Sequence, residues 1–133
     1  MASRGFLLDT DFLLDLNRSR RHVLRQRAEK LLLGINDGDL YISSVAVAEF
    51  LTGVPEDRQE EVQKMLQEQY FYLAPAYEEA VFAGRLRREW LARGYTLALS
   101  DVTNAALAIS RKLALVTRNV PHYPFPELAM INW

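Results

Sequence analysis

Short apolar runs that alternate with longer amphipathic segments leave this chain few architectures to adopt. Residues 6–8, Phe-Leu-Leu, are too few for a helix and suit a buried strand. Asp9 ends that run. Thr10 can cap a helix in which Phe12, Leu13 and Leu16 share one face. The pattern then recurs. Leu24, Ala28, Leu31, Leu32 and Ile35 predict a helix over 19–35, closed by the turn Asn36-Asp37-Gly38. A strand at 40–42 leads to Ser43 or Ser44, which caps a helix running to Thr52 with Val47, Phe50 and Leu51 inward. Pro55 opens a polar helix over 56–69, with Val62, Met65 and Leu66 as its apolar stripe. Further expected elements are a strand at 71–73, placed in the core, and a long helix over 77–93 stopped by Gly94. A helix capped by Ser100 then runs to Leu113, and strands follow at 114–117 and 129–131. Short strands separated by helices predict an α/β fold with a mostly parallel sheet. At 133 residues the chain suits one domain, 1–133, with a real core.

Charge and composition narrow the function. The net charge of -1 is not that of a bulk polycation, so any nucleic-acid contact must come from a local basic patch. The absence of cysteine removes disulfides, thiolate catalysis and Cys-based zinc sites, and suits a reducing cytoplasm, the expected location. No apolar run approaches the ~20 residues of a membrane span. The first apolar run ends in acid and does not resemble a signal peptide.

In an open parallel sheet, ligands bind in the crevice beyond the carboxyl ends of the strands. Asp9 falls there. So do Glu49, in the helix after the second strand with small Ala46 and Gly53 on its face, and Asn119, just past the fourth strand. Asp101, in the first turn of the helix before that strand, joins them if its helix start faces the crevice. Each has a plain structural explanation alone: Asp9 as a helix cap, Asp101 as a dipole partner, Glu49 as a solvated helix residue, Asn119 as a turn residue. Together they make a cluster of carboxylates that repel one another. A hard divalent cation, Mg²⁺ or Mn²⁺, accounts for it, because such ions take oxygen ligands and act on phosphodiesters.

The segments LLDTDFLL, SSVAVAEF, SDVTNAALA and LVTRN occur in the order and spacing of the PIN domain, and over nearly the whole chain the sequence resembles the VapC type of toxin ribonuclease. That resemblance implies a three-layer α/β/α fold, metal-dependent endonuclease activity on RNA, and a cognate antitoxin protein that covers the site. By position, Asp9 and Asp101 match the family's metal-binding aspartates, Glu49 its third acid, and Thr117 the hydroxyl residue that supports the site, beside Thr10. Asn119 falls where many members carry a fourth aspartate, which puts a second tight metal in doubt. Asp11 stands where asparagine is common. It either restores a charge to the pocket or caps the first helix.

Arg18, Arg20, Arg21 and Arg25, with Arg27, cluster after the first motif, and Arg85, Arg87, Arg88 and Arg93 lie on the long helix. They read either as RNA-backbone contacts, the guanidinium fork suiting phosphate, or as solvated faces or an antitoxin groove. His22 and His122 read as surface residues outside any catalytic set. Trp90, Tyr95 and Leu97 suggest an apolar excess that a homodimer would cover. A non-catalytic PIN-fold module that binds RNA or an antitoxin is the competing function, favoured by Asn119.

Overall fold

The computed structural model describes residues 5–133. Five strands form one sheet: β1 (Gly5–Leu8), β2 (Asp39–Ser43), β3 (Phe71–Leu73), β4 (Ala114–Val116) and β5 (Met130–Ile131). Their order is β3-β2-β1-β4-β5, and every pairing is parallel. Parallel neighbours cannot be joined by tight turns, so helices carry the chain back between them. The helices α1 (Thr10–Leu16) and α2 (Val23–Ile35) join β1 to β2, and α3 (Ser44–Thr52) and α4 (Gln59–Gln69) join β2 to β3. The crossover from β3 to β4 uses α5 (Tyr77–Ala92) and α6 (Leu99–Arg111).

Side chains of a strand alternate between the faces of its sheet. Phe6 and Leu8 therefore pack one way, with Ile42, Val116 and residues of α1 to α4 such as Phe12, Phe50 and Leu66. Leu7 packs the other way, with Leu115, Leu86 of α5, Val102 and Ala105 of α6, and Tyr123, Phe125 and Leu128 from the segment before β5. The result is the expected three-layer α/β/α sandwich. Its central strand, β1, has β2 on one side and β4 on the other, so the direction of winding reverses there. This reversal opens a crevice at the carboxyl ends of β1 and β4.

Several boundaries differ from the sequence reading. Ser19 does not begin α2; His22 does, its Nδ1 accepting from the Leu24 N–H. Ser100 is not a cap, since α6 starts at Leu99 after Ala98 and has no side-chain cap. A 3-10 turn, Glu56–Arg58, precedes α4. Phe71 and Tyr72 are 58% and 59% exposed rather than core, because β3 is the sheet's edge and pairs only with β2. Gly94 ends α5 as expected, with φ of 93°, where a Cβ would be strained. Among the described residues no helix is long and apolar enough to cross a membrane.

Candidate active site

Asp9 follows directly on β1, and its backbone N–H donates to the carbonyl of Val116 at 2.9 Å, which ties it to the end of β4. Its conformation is extended and it is the N-cap of α1, Oδ1 accepting from the Thr10 N–H at 2.8 Å. The capping explanation is therefore correct as far as it goes. But the other oxygen, Oδ2, accepts two hydroxyls, Thr117 Oγ1 at 2.9 Å and Tyr123 Oη at 2.7 Å. Asp9 is 6% exposed, and these donors satisfy its buried oxygens.

Glu49 and Asp101 are linked to Asp9 through Thr10 and Tyr123. Thr10 Oγ1 donates to Glu49 Oε1 at 2.7 Å and brings α3 to the site, although Glu49 itself is exposed. The Tyr123 hydroxyl lies 3.2 Å from Asp101 Oδ1. His122 Nδ1 lies 3.5 Å from Asp101 Oδ2. Asp101 is thus flanked by consecutive residues of the turn after β4. Its carboxyl is pushed above the usual range by burial first, then by the negative charge of Asp9, with Glu49 adding to the effect. The same surroundings raise the Tyr123 phenol far above its ordinary value, through burial and the neighbouring Asp9 and Asp101, so this hydroxyl stays a neutral donor.

Asp11 does not cap α1. It lies in the first turn and reaches back to β4, where Oδ2 accepts from the Arg118 N–H at 2.9 Å and more distantly from Thr117 Oγ1 at 3.4 Å. Its Oδ1 is buried without a hydrogen-bond partner. Burial, reinforced by Asp9 and opposed by Arg118, raises its pKa to about 6. Asn119 is exposed, and its backbone N–H donates to Thr117 Oγ1 at 3.1 Å. Among the described residues no three His, Asp or Glu side chains converge tightly enough to enclose a metal by themselves.

Four participants were not visible in the sequence reading. Tyr123 is 2% exposed. Asn104 lies one turn after Asp101 on α6, accepts from Ser43 Oγ at 2.7 Å, and makes a long 3.5 Å contact to Asp9 Oδ1. His122 has a carboxylate neighbour after all. Asp15, a fully buried residue of α1, accepts from Arg18 Nε at 2.7 Å, Arg118 Nε at 3.0 Å and Trp133 Nε1 at 3.0 Å. Burial alone would raise its pKa, but these donors outweigh it and hold the carboxyl below the usual range. A Tyr six positions beyond Thr117, between Pro121 and Pro124, was the available signal for Tyr123. Nothing local announced its partner.

The basic residues divide. Arg18 is engaged with Asp15, and Arg25 bonds Glu29 and the Arg18 carbonyl, whereas Arg20 and Arg21 are exposed. Trp90 is used inside the molecule, edge-on to Tyr95 at 5.2 Å and to Phe125 at 5.7 Å, and Leu97 is buried.

A family profile described as the PIN domain matches residues 6–121. Comparison with curated proteins finds no match. Among solved structures, the chain is similar to VapBC2 from Rickettsia felis bound to a promoter DNA fragment, with a TM-score of 0.78 at 20% identity over 97% of this chain and 98% of that one. A toxin–antitoxin complex from Klebsiella pneumoniae gives a TM-score of 0.73 at 26% identity over 92% and 94%. VapBC-1 from nontypeable Haemophilus influenzae gives 0.78 at 21% identity over 97% and 98%.

Proposed function

Because this chain belongs to the PIN domain family, we propose that it is an endoribonuclease dependent on Mg²⁺ or Mn²⁺, and the VapC-type toxin of a pair completed by a cognate antitoxin protein. The observation that carries the reading is the placement of Asp9: a buried carboxylate at the winding reversal of a parallel sheet, joined to Asp101 through the Tyr123 hydroxyl and to Glu49 through Thr10, whose backbone N–H meets Asp9 and whose hydroxyl meets Glu49. A stability role alone calls for one capped carboxylate, not three acids linked together.

The donor set fits a hard divalent cation. All the donors are oxygens, Asp11 keeps a buried oxygen without a partner, and Asp101 and Asp11 are raised first by burial and then by the charge of Asp9, a charge that a cation would relieve. Asp9 and Asp101 are the residues that would hold it. When bound, the ion supplies charge neutralisation at a phosphodiester and an activated water. Glu49, exposed and fixed by Thr10, is placed to accept a proton from an attacking water. Thr117 fixes Asp9, Asp11 adds negative charge beside it, and Asn119 lies at the rim. Arg20 and Arg21 are free to meet RNA phosphates, and Arg18 and Arg25 would do so only with their remaining N–H groups.

The antitoxin partner is supported by the structural neighbours, which are toxin–antitoxin complexes. The test is RNA cleavage by the purified chain with Mg²⁺ or Mn²⁺, abolished by a chelator and by Asp9→Asn. Cleavage that continues in excess EDTA refutes the metal requirement.

A second reading, a weak or inactive PIN-fold module that binds RNA or an antitoxin, is favoured by Asn119. That side chain is neutral and exposed, so it adds no charge where the resemblance leads one to expect an aspartate. Inertness on many RNAs with metal present, together with retained RNA or antitoxin binding, would decide for it.

A further inference from the structure

The hydroxyl of Tyr123 touches both acids assigned to the cation, at 2.7 Å from Asp9 Oδ2 and 3.2 Å from Asp101 Oδ1. A phenol has a single proton and can give it to only one acceptor at a time. The shorter contact marks Asp9 as that acceptor. Thr117 donates to the same oxygen, so Oδ2 of Asp9 has both lone-pair directions occupied. Oδ1 is less used: its close donor is the Thr10 N–H at 2.8 Å, and Asn104 stands off at 3.5 Å. The Tyr123 ring is buried among Leu7, Val102 and Leu115, on the opposite side of the sheet from α1. It therefore cannot follow a carboxylate that turns.

We propose that Tyr123 is a positioning residue for the cation: its hydroxyl holds Asp9 by Oδ2 while touching Asp101 Oδ1, and so fixes how the two carboxylates that would hold the ion are set against each other. The inference rests on the cation reading above. It goes beyond that reading by assigning the orientation of the principal ligand to a residue outside the matched span, 6–121. Partners that orient a metal's ligands typically change affinity about 10–100-fold when removed.

The experiment is titration of the full chain with Mn²⁺ alone by calorimetry, for wild type, Tyr123→Phe and Asp9→Asn, with urea unfolding of each in metal-free buffer. The expected result is binding by wild type, loss of binding in Asp9→Asn, and an affinity about tenfold or more weaker in Tyr123→Phe, which remains folded. A merely structural Tyr123 would shift the urea midpoint and leave the Mn²⁺ affinity alone. Equal or tighter binding by Tyr123→Phe, with Asp9→Asn still silent, overturns this inference and spares the cation site. Failure of wild type to bind Mn²⁺ overturns both. Should Tyr123→Phe not fold, Tyr123→Met fills the space without a hydroxyl and is read the same way.

Discussion

Replacing Asp15 with Asn tests whether the buried charge on α1 secures the loop that carries Thr117 and Tyr123. The carboxylate is fully buried and receives two guanidinium groups and the Trp133 indole N–H. Asn keeps one acceptor oxygen, enough for at most two of these donors, and turns an amide N–H₂ toward the rest. Breaking a buried ion pair typically costs about 3–5 kcal/mol. The Arg18 and Arg118 side chains are 38% and 34% exposed, so both can recover solvation when the charge is lost. That brings the expected loss down to about 2–3 kcal/mol, or roughly 6–12 °C in melting temperature. Urea and thermal unfolding at pH 7 measure it. A cycle with Arg118→Ala should return a coupling of about 1 kcal/mol or more. The pH sign follows from the depressed pKa: Asp15 stabilises above the normal carboxylate range, and the contribution disappears as pH falls through its folded value. The variant should therefore lose less stability than wild type on acidification. A loss below about 0.5 kcal/mol, the range of ordinary surface substitutions, would refute the idea that this charge holds the loop.

Three further outcomes are expected. Asp9→Asn should change metal-free stability by no more than about 1 kcal/mol, since its oxygen can still cap Thr10 and the Thr117 and Tyr123 hydroxyls can turn to accept; in Mn²⁺ at ten times Kd wild type should gain about 1.4 kcal/mol and the variant almost none, by differential scanning calorimetry. Glu79, 5% exposed, is hydrogen-bonded twice by Arg111, and that contact lowers its pKa to about 2 from 4.5. Its stabilisation should be complete above pH 4.5 and disappear as pH falls toward 2, a loss of about 2 kcal/mol after allowing for the water around Arg111, and one that Glu79→Gln should lack in acid titrations of stability. A homodimer mass in light scattering is expected, lost in Leu91→Glu/Leu99→Glu, because Leu91, Tyr95 and Leu99 stay exposed after Trp90 and Leu97 have turned inward; a monomer at high concentration rules it out.

The layers were legible because they depend on local periodicity. The runs at 6–8, 40–42 and 114–117 could only be strands, and their spacing by helices required parallel pairing. The places of Asp9, Glu49 and Asp101 relative to their elements were legible for the same reason, as each sits at a fixed offset from an element. The connections between them were not. Tyr123 meets Asp9 across 114 positions, and Trp133 meets Asp15 across 118, so no window of sequence contains both partners. Phe71 and Tyr72 misled because composition marks a strand but not whether it lies at the edge of the sheet. Asn104 lay within a quoted motif, yet its role depends on Ser43 in another strand.

The central position of β1 also bears on how the molecule comes into being. This strand leaves the ribosome before β4, which must arrive before both edges of β1 are paired, and Thr117 and Tyr123 follow later still. A growing chain that has reached only α6 carries Asp9 with its backbone cap and neither hydroxyl. The acid centre is thus among the last parts to assemble, after most of the sheet has formed. If the chain cuts RNA as proposed, this order would keep the unfinished chain inert beside the messenger and ribosome that are making it. Chains halted at residue 113 should show rapid hydrogen exchange at the Asp9 N–H, whose acceptor is the Val116 carbonyl, and protection there should appear once β4 is present.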